Sequence, residues 1–270
     1  MSATLQEIIG ATRRRVAELR SSPQRNTLES QADRHNPRGF RRVLESGTRK
    51  GIAVIAELKK ASPSRGLIRK DFNPGALAAE LALGGAAALS VLTEEQYFLG
   101  SLENLQAASE ACELPCLRKD FIVDELQLLE ARANRADAVL LIVAALSDAE
   151  LPLLVRRAGE HSLDVLCEVH DEEELRRALD AGCETIGVNN RNLSTFQVDL
   201  RTAFRLASLI PGGIMRIAES GIKCGADIAR LRGAGYHAFL IGEALMETQS
   251  PGEALRSLLI QAQAPVIGSA

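Results

Sequence analysis

The sequence predicts an α/β protein, a (β/α)8 barrel of the TIM type preceded by an N-terminal helical extension. Three observations carry this reading. From residue 52 onward, eight short apolar, β-branched runs are each followed by a longer segment of helical period. Between Ile52 and His237 these runs recur about every 26 residues, the length of one strand–helix unit. The chain of 270 residues is 46% apolar but only 3% aromatic, which suits a core of Leu, Val, Ile and Ala between helices and parallel strands. Eight uninterrupted units favour a closed barrel over an open doubly wound sheet.

The first 50 residues form a unit of their own. They carry 11 Lys and Arg against 5 Asp and Glu, whereas residues 51–270 carry 21 against 30. Leu5, Ile8, Ile9, Thr12, Val16 and Leu19 mark one face of an amphipathic helix. A polar stretch with Pro23 and Pro37 follows, then a short helix near Phe40–Leu44. The basic run Arg13–Arg15 reads as a solvated helix face or a clamp for an anionic ligand. No aromatic residues interleave it and the rest of the chain is acidic, so nucleic-acid binding is not predicted.

The barrel is predicted over residues 51–262, with 263–270 as a terminal tail. Its strands are the runs beginning at Ile52, Ala86, Pro115, Asp137, Leu163, Glu184, Ile214 and His237. Helices are predicted at Pro74–Leu83, Ser101–Ala111, Asp124–Arg132, Asp148–Gly159, Asp171–Ala181, Leu200–Leu209, Gly225–Gly235 and Gly252–Gln261. Several begin after Asp, Asn or Ser and end at Gly, as orphan amides and a left-handed last residue require.

Other classes are disfavoured. No apolar run reaches the roughly 18 to 20 residues of a membrane span, and the N-terminus lacks the pattern of a signal peptide. Five scattered Cys are expected to be reduced thiols in a cytoplasmic protein. Cys112 and Cys116 have no second pair nearby to complete a zinc site, and four His in the whole chain argue against a histidine metal centre. No metal is expected.

A barrel places function at the C-terminal ends of its strands. Strand 1 ends in Glu57 and Lys59, which share a face because side chains alternate along a strand. Strand 3 ends in Lys119, strand 5 in Glu168, strand 6 in Asn189-Asn190-Arg191, strand 7 in Glu219-Ser220-Gly221 and strand 8 in Gly242-Glu243. Charges of alternating sign in one concave space suit acid–base chemistry, with structural ion pairs as the alternative. Gly221 and Gly242 let backbone amides approach an anion; Ser62 and Lys59 could complete a phosphate site.

The runs AELKKASPSRG (56–66), SVLTEEQYFLGS (90–101), LRKDFIVDE (117–125), EVHDEEE (168–174), GVNNRNL (187–193), AESGI (218–222) and LIGEALM (240–246) together resemble the indole-3-glycerol phosphate synthase family. The resemblance extends from the N-terminal helix to about Leu259, and it implies that residues 1–50 are a helical extension packing over the barrel mouth. It implies a cytoplasmic enzyme of tryptophan biosynthesis that needs no cofactor or metal. The enzyme would convert 1-(2-carboxyphenylamino)-1-deoxyribulose 5-phosphate to indole-3-glycerol phosphate, with loss of CO2 and water. By motif match, Lys119 is the general acid, and Glu168, Glu57 and Lys59 serve the remaining proton transfers. Asn189 holds the reacting hydroxyl region, Arg191 the anthranilate carboxylate, and Glu219 and Ser220 the sugar or phosphate end. Ser62, Lys59, Gly221 and Gly242 take the phosphate. Phe98, Phe121, Leu140 and Pro63, with Phe72 as an addition, wall the benzene ring, and the N-terminal helix offers Leu5, Ile8 and Ile9. The implied partners are the phosphorylated substrate and other tryptophan-pathway enzymes, with no nucleic acid and no membrane.

Two other readings make different demands. A phosphoribosyl-type isomerase barrel would carry a Cys near the end of strand 1 and an Asp base opposite, where this chain has Glu57 and Lys59. A catalytically silent scaffold would tolerate loss of the rim charges.

Overall fold

The computed structural model describes residues 4–193 and 195–263; of the expected tail, residues 264–270 lie outside it. The chain opens with three helices, α1 (Leu5–Ser21), α2 (Arg25–Ala32) and α3 (Phe40–Lys50). Strands and helices then alternate as β1 (Ala53–Leu58), α4 (Pro74–Gly84), β2 (Ala88–Leu92), α5 (Leu102–Ala111), β3 (Cys116–Lys119) and α6 (Glu125–Ala133). The second half continues with β4 (Ala138–Ile142), α7 (Glu150–Glu160), β5 (Asp164–Val169), α8 (Glu172–Asp180), β6 (Thr185–Asn189) and α9 (Arg201–Ala207). Last come β7 (Met215–Glu219), α10 (Gly225–Gly233), β8 (Ala238–Ile241), the short α11 (Glu243–Met246) and α12 (Pro251–Gln263). The eight strands are parallel and closed: β1 pairs with β8 through Ala53 and Ala238, and with β2 through Ile55 and Ala88.

Strand alternation sorts the core into two layers. Ala53, Ile55, Leu117, Leu140, Leu166, Ile217 and Leu240 fill the barrel. Their sequence neighbours Val54, Ala56, Leu58, Cys116, Val139, Leu141 and Ala218 face the helices. Because Ala53 and Ile55 point inward, Glu57 does too, which is the phase the alternation predicts. The helices begin where short polar side chains satisfy the first-turn amides: Asn73 accepts from Ala76 N–H at 3.0 Å, Ser101 from Asn104 at 3.2 Å and Asp171 from Glu174 at 2.8 Å.

Several local expectations differ from the structure. The third helix runs on to Lys50, because Phe40 and Leu44, both fully buried, extend one apolar stripe against the N-terminal end of the barrel. Arg38 and Arg41 backbone amides donate to Asp137 and Asp164 just before or at the starts of β4 and β5, so this helix closes the end opposite the mouth. The stretch after Pro23 contains α2, whose Leu28 packs with Leu19, Leu126 and Ala133; two apolar side chains alone were too few to signal it. Residues 61–67 form a tight antiparallel turn, Ala61–Ser62 against Gly66–Leu67. The expectation of five reduced thiols is also corrected. Cys167 on β5 is joined to Cys183 before β6 in a disulfide, while Cys112, Cys116 and Cys224 are free. Pairing of β5 with β6 brings the two together although a helix separates them in sequence.

The charge division between the first 50 residues and the barrel is resolved as contacts between them. Arg13 pairs with Glu150 at 2.9 Å, Arg20 with Asp124 at 2.8 Å, and Arg15 holds both oxygens of Glu130 at 2.8 and 2.9 Å. Arg13 and Arg15 thus clamp carboxylates of the barrel itself, while Arg13 and Arg14 stay exposed on the solvated face that the sequence suggests. Glu130 also accepts from the fully buried Arg118 at 2.7 Å. Burial opposes ionisation of Glu130, but the two guanidiniums outweigh it and hold the carboxyl down to about 2. Glu130→Ala removes the carboxylate shared by buried Arg118, which keeps Asp120, and the partly exposed Arg15, so it is expected to cost about 1–3 kcal/mol in urea unfolding near neutral pH. The contribution is present above the ordinary 4.5 and is lost as pH falls through about 2, so the deficit should shrink at strongly acid pH.

Candidate active site

The C-terminal strand ends enclose a cavity of about 790 Å³, within the range of small-molecule sites. Its lining includes every residue singled out from the sequence for catalysis, ring contact or phosphate, apart from Phe72 and Ile9. Phe72 precedes α4 and packs against the outer, helix-facing core, so it does not reach the cavity. Of the N-terminal helix, Leu5 and Ile8 line the cavity, whereas Ile9 turns to the outer core one residue later.

The floor of the cavity is a cluster of charges. Lys119, at the end of β3, donates from Nζ to Glu168 Oε2 at 2.9 Å and to Glu219 Oε2 at 2.5 Å. Lys59 Nζ lies 2.7 Å from Glu57 Oε1. All three carboxylates are nearly inaccessible, and Lys119 is 13% exposed. Burial works against the Lys119 charge, yet Glu168, Glu219 and Glu57 together hold the ammonium above its ordinary range. Burial likewise opposes ionisation of Glu168, but Lys119 and His170 prevail and hold it well below the usual carboxylate range. Glu57 is lowered in the same way by Lys59 and Lys119 against the penalty of burial.

Glu219 behaves oppositely. Burial, with like-charge repulsion from Glu168, pushes it up to about 7 despite Lys119, and its Oε1 lacks a hydrogen-bond partner. The motif match put this residue at the sugar or phosphate end; the structure sets it against Lys119. It has room because Gly187 on β6 presents no side chain: a methyl there would collide with Glu219 Oε1. A raised carboxyl favours the folded state below its ordinary 4.5 and loses that contribution as pH rises through about 7. Glu219→Gln should therefore flatten the fall in melting temperature between those pH values, measured by a pH series of thermal scans. An unchanged slope would show that Glu219 is ionised throughout.

On one side of the charges, Phe98 and Phe121 stand with ring centroids 6.2 Å apart, and Leu140 and Pro63 extend the apolar wall. On the other side, Ser220 and Gly221 turn the chain after β7 with left-handed φ of 64° and 80°. Gly242 follows β8, where any side chain would strike Glu57, so its lack of a Cβ serves the carboxylate as well as any anion. Ser62 Oγ lies 3.4 Å from Ser64 Oγ in the turn after β1. Asn189 Oδ1 accepts from the Arg191 amide at 3.0 Å. The Arg191 guanidinium reaches Glu243 and Ser64, each at 3.3 Å, on the same side as Gly242.

Two supporting residues, Asn190 and His170, lie in the quoted strand ends and motifs but carry no assigned role there. Asn190, buried beside Asn189, donates to the carbonyls of Glu219 and Ser220 at 2.9 and 3.2 Å and accepts from Ala203 N–H, which fixes the turn after β7. His170 touches Glu168 from outside the cavity. For Asn190 the available signal was a polar residue in the outward phase of a strand end; for His170 it was the inward phase shared with Glu168.

Comparison with known proteins identifies the family and the fold. The family model for indole-3-glycerol phosphate synthase matches residues 5–258. The indole-3-glycerol phosphate synthase of Koribacter versatilis is 56% identical over 96% of this chain and all of its own length. That of Acinetobacter baumannii is 50% identical over 84% of both chains. Among solved structures, KGPDC from Streptococcus mutans superposes with a TM-score of 0.61 at 12% identity over 78% of this chain and 96% of its own. Thiamine phosphate pyrophosphorylase from Pyrococcus furiosus gives 0.59 at 15% identity over 80% and 99%; both likenesses concern the fold alone. With the ordered motifs, the closed barrel and relatives of this identity in agreement, the chain belongs to the indole-3-glycerol phosphate synthase family.

Proposed function

We propose that the charged floor of this cavity carries out the ring closure, decarboxylation and dehydration that turn 1-(2-carboxyphenylamino)-1-deoxyribulose 5-phosphate into indole-3-glycerol phosphate. The chain is a carbon–carbon lyase of tryptophan biosynthesis, as its family membership states. The observation that carries the assignment of roles is the Lys119 ammonium held between Glu168 and Glu219 on the cavity floor. The apolar wall and the glycine turns line the same cavity.

Ring closure requires an aromatic carbon to attack the ribulose carbonyl, which places negative charge on its oxygen. Lys119 donates a proton there as general acid, and a preorganised ammonium in a desolvated site needs little reorganisation to do so. Loss of CO2 removes the substrate carboxylate and restores the aromatic ring. Dehydration then expels the new hydroxyl as water while a proton is taken up; Glu168 is the base, because it stays ionised against burial. Glu57 and Lys59, as a coupled pair, supply and accept the remaining protons, with Asn189 orienting the hydroxyl region. Phe98, Phe121, Leu140 and Pro63 hold the ring and Arg191 its carboxylate. Ser62, Lys59, Gly221 and Gly242 take the phosphate, and Glu219 and Ser220 sit between the acid and the sugar.

In the same reading α1 serves as a cover that brings Leu5 and Ile8 to the mouth, while α3 seals the other end. The enzyme works in the cytoplasm beside other tryptophan-pathway enzymes; no helix among the described residues is long and apolar enough to cross a membrane. The test is direct. Purified protein supplied with the carboxyphenylamino-deoxyribulose phosphate should produce indole fluorescence without added metal or cofactor, and the chain contains no Trp to obscure it. No rise in fluorescence overturns the proposal.

A further inference from the structure

We propose that His170 is a positioning residue for the reaction, holding Glu168 from behind so that its other oxygen stays on Lys119. This rests on the assignment of Glu168 as base. His170 follows β5 directly and is in phase with Glu168, with Val169 facing the helices between them. Its Nε2 lies 3.4 Å from Glu168 Oε1, while Lys119 takes Oε2 at 2.9 Å, so the two cations approach opposite oxygens of one carboxylate. The imidazole contact is off the hydrogen-bond line as it stands. Contacts of this kind commonly tighten only when substrate is bound.

The imidazole is itself fixed from its far side. Nδ1 lies 2.9 Å from Glu174 Oε2, and the same oxygen accepts the His170 backbone N–H at 2.9 Å. Glu174 is held in the first turn of α8, where Asp171 accepts its amide. The resulting row, Glu174–His170–Glu168–Lys119–Glu219, alternates in sign from the protein surface to the cavity floor. His170 does not line the cavity, so it acts through Glu168 and not on the substrate.

The charged groups set against the ring are Glu168 on its own strand segment and Glu174 on α8. Burial opposes its charge, but these two carboxylates raise it to about 10, so it is an imidazolium at neutral pH. Its charge keeps Glu168 ionised alongside Lys119. Removing it should therefore raise the carboxyl towards its ordinary range.

His170→Asn removes the cation and the reach to Glu168. It should lower kcat about ten-fold with little change in KM and move the acidic limb of the kcat–pH profile up by about one unit. His170→Gln restores a neutral donor near Nε2; it should recover part of kcat while the limb stays displaced. Melting temperature is followed in parallel. Unchanged kcat and an unchanged acidic limb in both variants, beside an impaired Glu168→Gln, overturns this proposal alone. Losses that track melting temperature with the limb unmoved also overturn it, since a merely structural role predicts that pattern. Wild-type turnover by Glu168→Gln overturns the acid–base assignment and this proposal with it.

Discussion

Lys119→Met is expected to reduce kcat/KM by about a thousand-fold or more, the scale of a lost general acid in a site that also uses the charge electrostatically. The substitution keeps the length of the side chain in a nearly buried position, so the cavity retains its shape. What changes is the charge balance around it. Glu168 and Glu219 then face each other without the ammonium between them, and two buried carboxylates in contact cannot both remain ionised. One should hold a proton at neutral pH, and the variant should be most stable at lower pH than the parent. Fluorescence-monitored turnover and a pH series of thermal scans read the two effects separately. Lys119→Ala should lose as much activity and more stability, because Lys119 bridges two buried acids and does not simply stand on a solvated rim. Turnover within about ten-fold of the parent would show that another group supplies the proton.

Glu168→Gln is expected to lower kcat by about 10²–10³-fold while KM changes little, since the amide keeps the shape and one acceptor but cannot take a proton. Lys119 also loses one of the three carboxylates that hold its proton, so its pKa should fall towards its ordinary range. A drop in both kcat and KM would mean that ground-state strain had been relieved. Full activity would leave Glu168 as no more than a partner that keeps Lys119 in place. Glu168→Asp is the useful companion: shortening the chain by one methylene breaks the contact to Lys119 while retaining a base, so it separates the two roles by the size of the loss.

The inward phase of Glu57, Lys119, Glu168 and Glu219 is legible in the sequence because alternation along a strand is set by backbone sterics within a few residues. The same holds for the helix starts at Asn73, Ser101 and Asp171, where a short polar side chain competes locally for orphan amides. Features whose cause lies elsewhere in the chain are not legible in this way. Helix α2 owes its place to α6, and the Glu219 carboxyl owes its room to the missing side chain of Gly187 on the neighbouring strand. The Arg13–Arg15 run reads as a free cationic face because its acidic partners, Glu150 and Glu130, lie over a hundred residues away.

By itself, then, the sequence determined the barrel, the family and the set of side chains delivered to the mouth, since each follows from short-range periodicity and from motifs in order. Tertiary structure alone decided the pairing within that set. Lys119 bonds to Glu168 and Glu219 while Lys59 takes Glu57, His170 backs Glu168, and Arg191 turns to Glu243. Those choices depend on how closure of the barrel staggers its strands, and on how far burial strengthens one charge contact over another. Neither quantity is a property of any local stretch of chain.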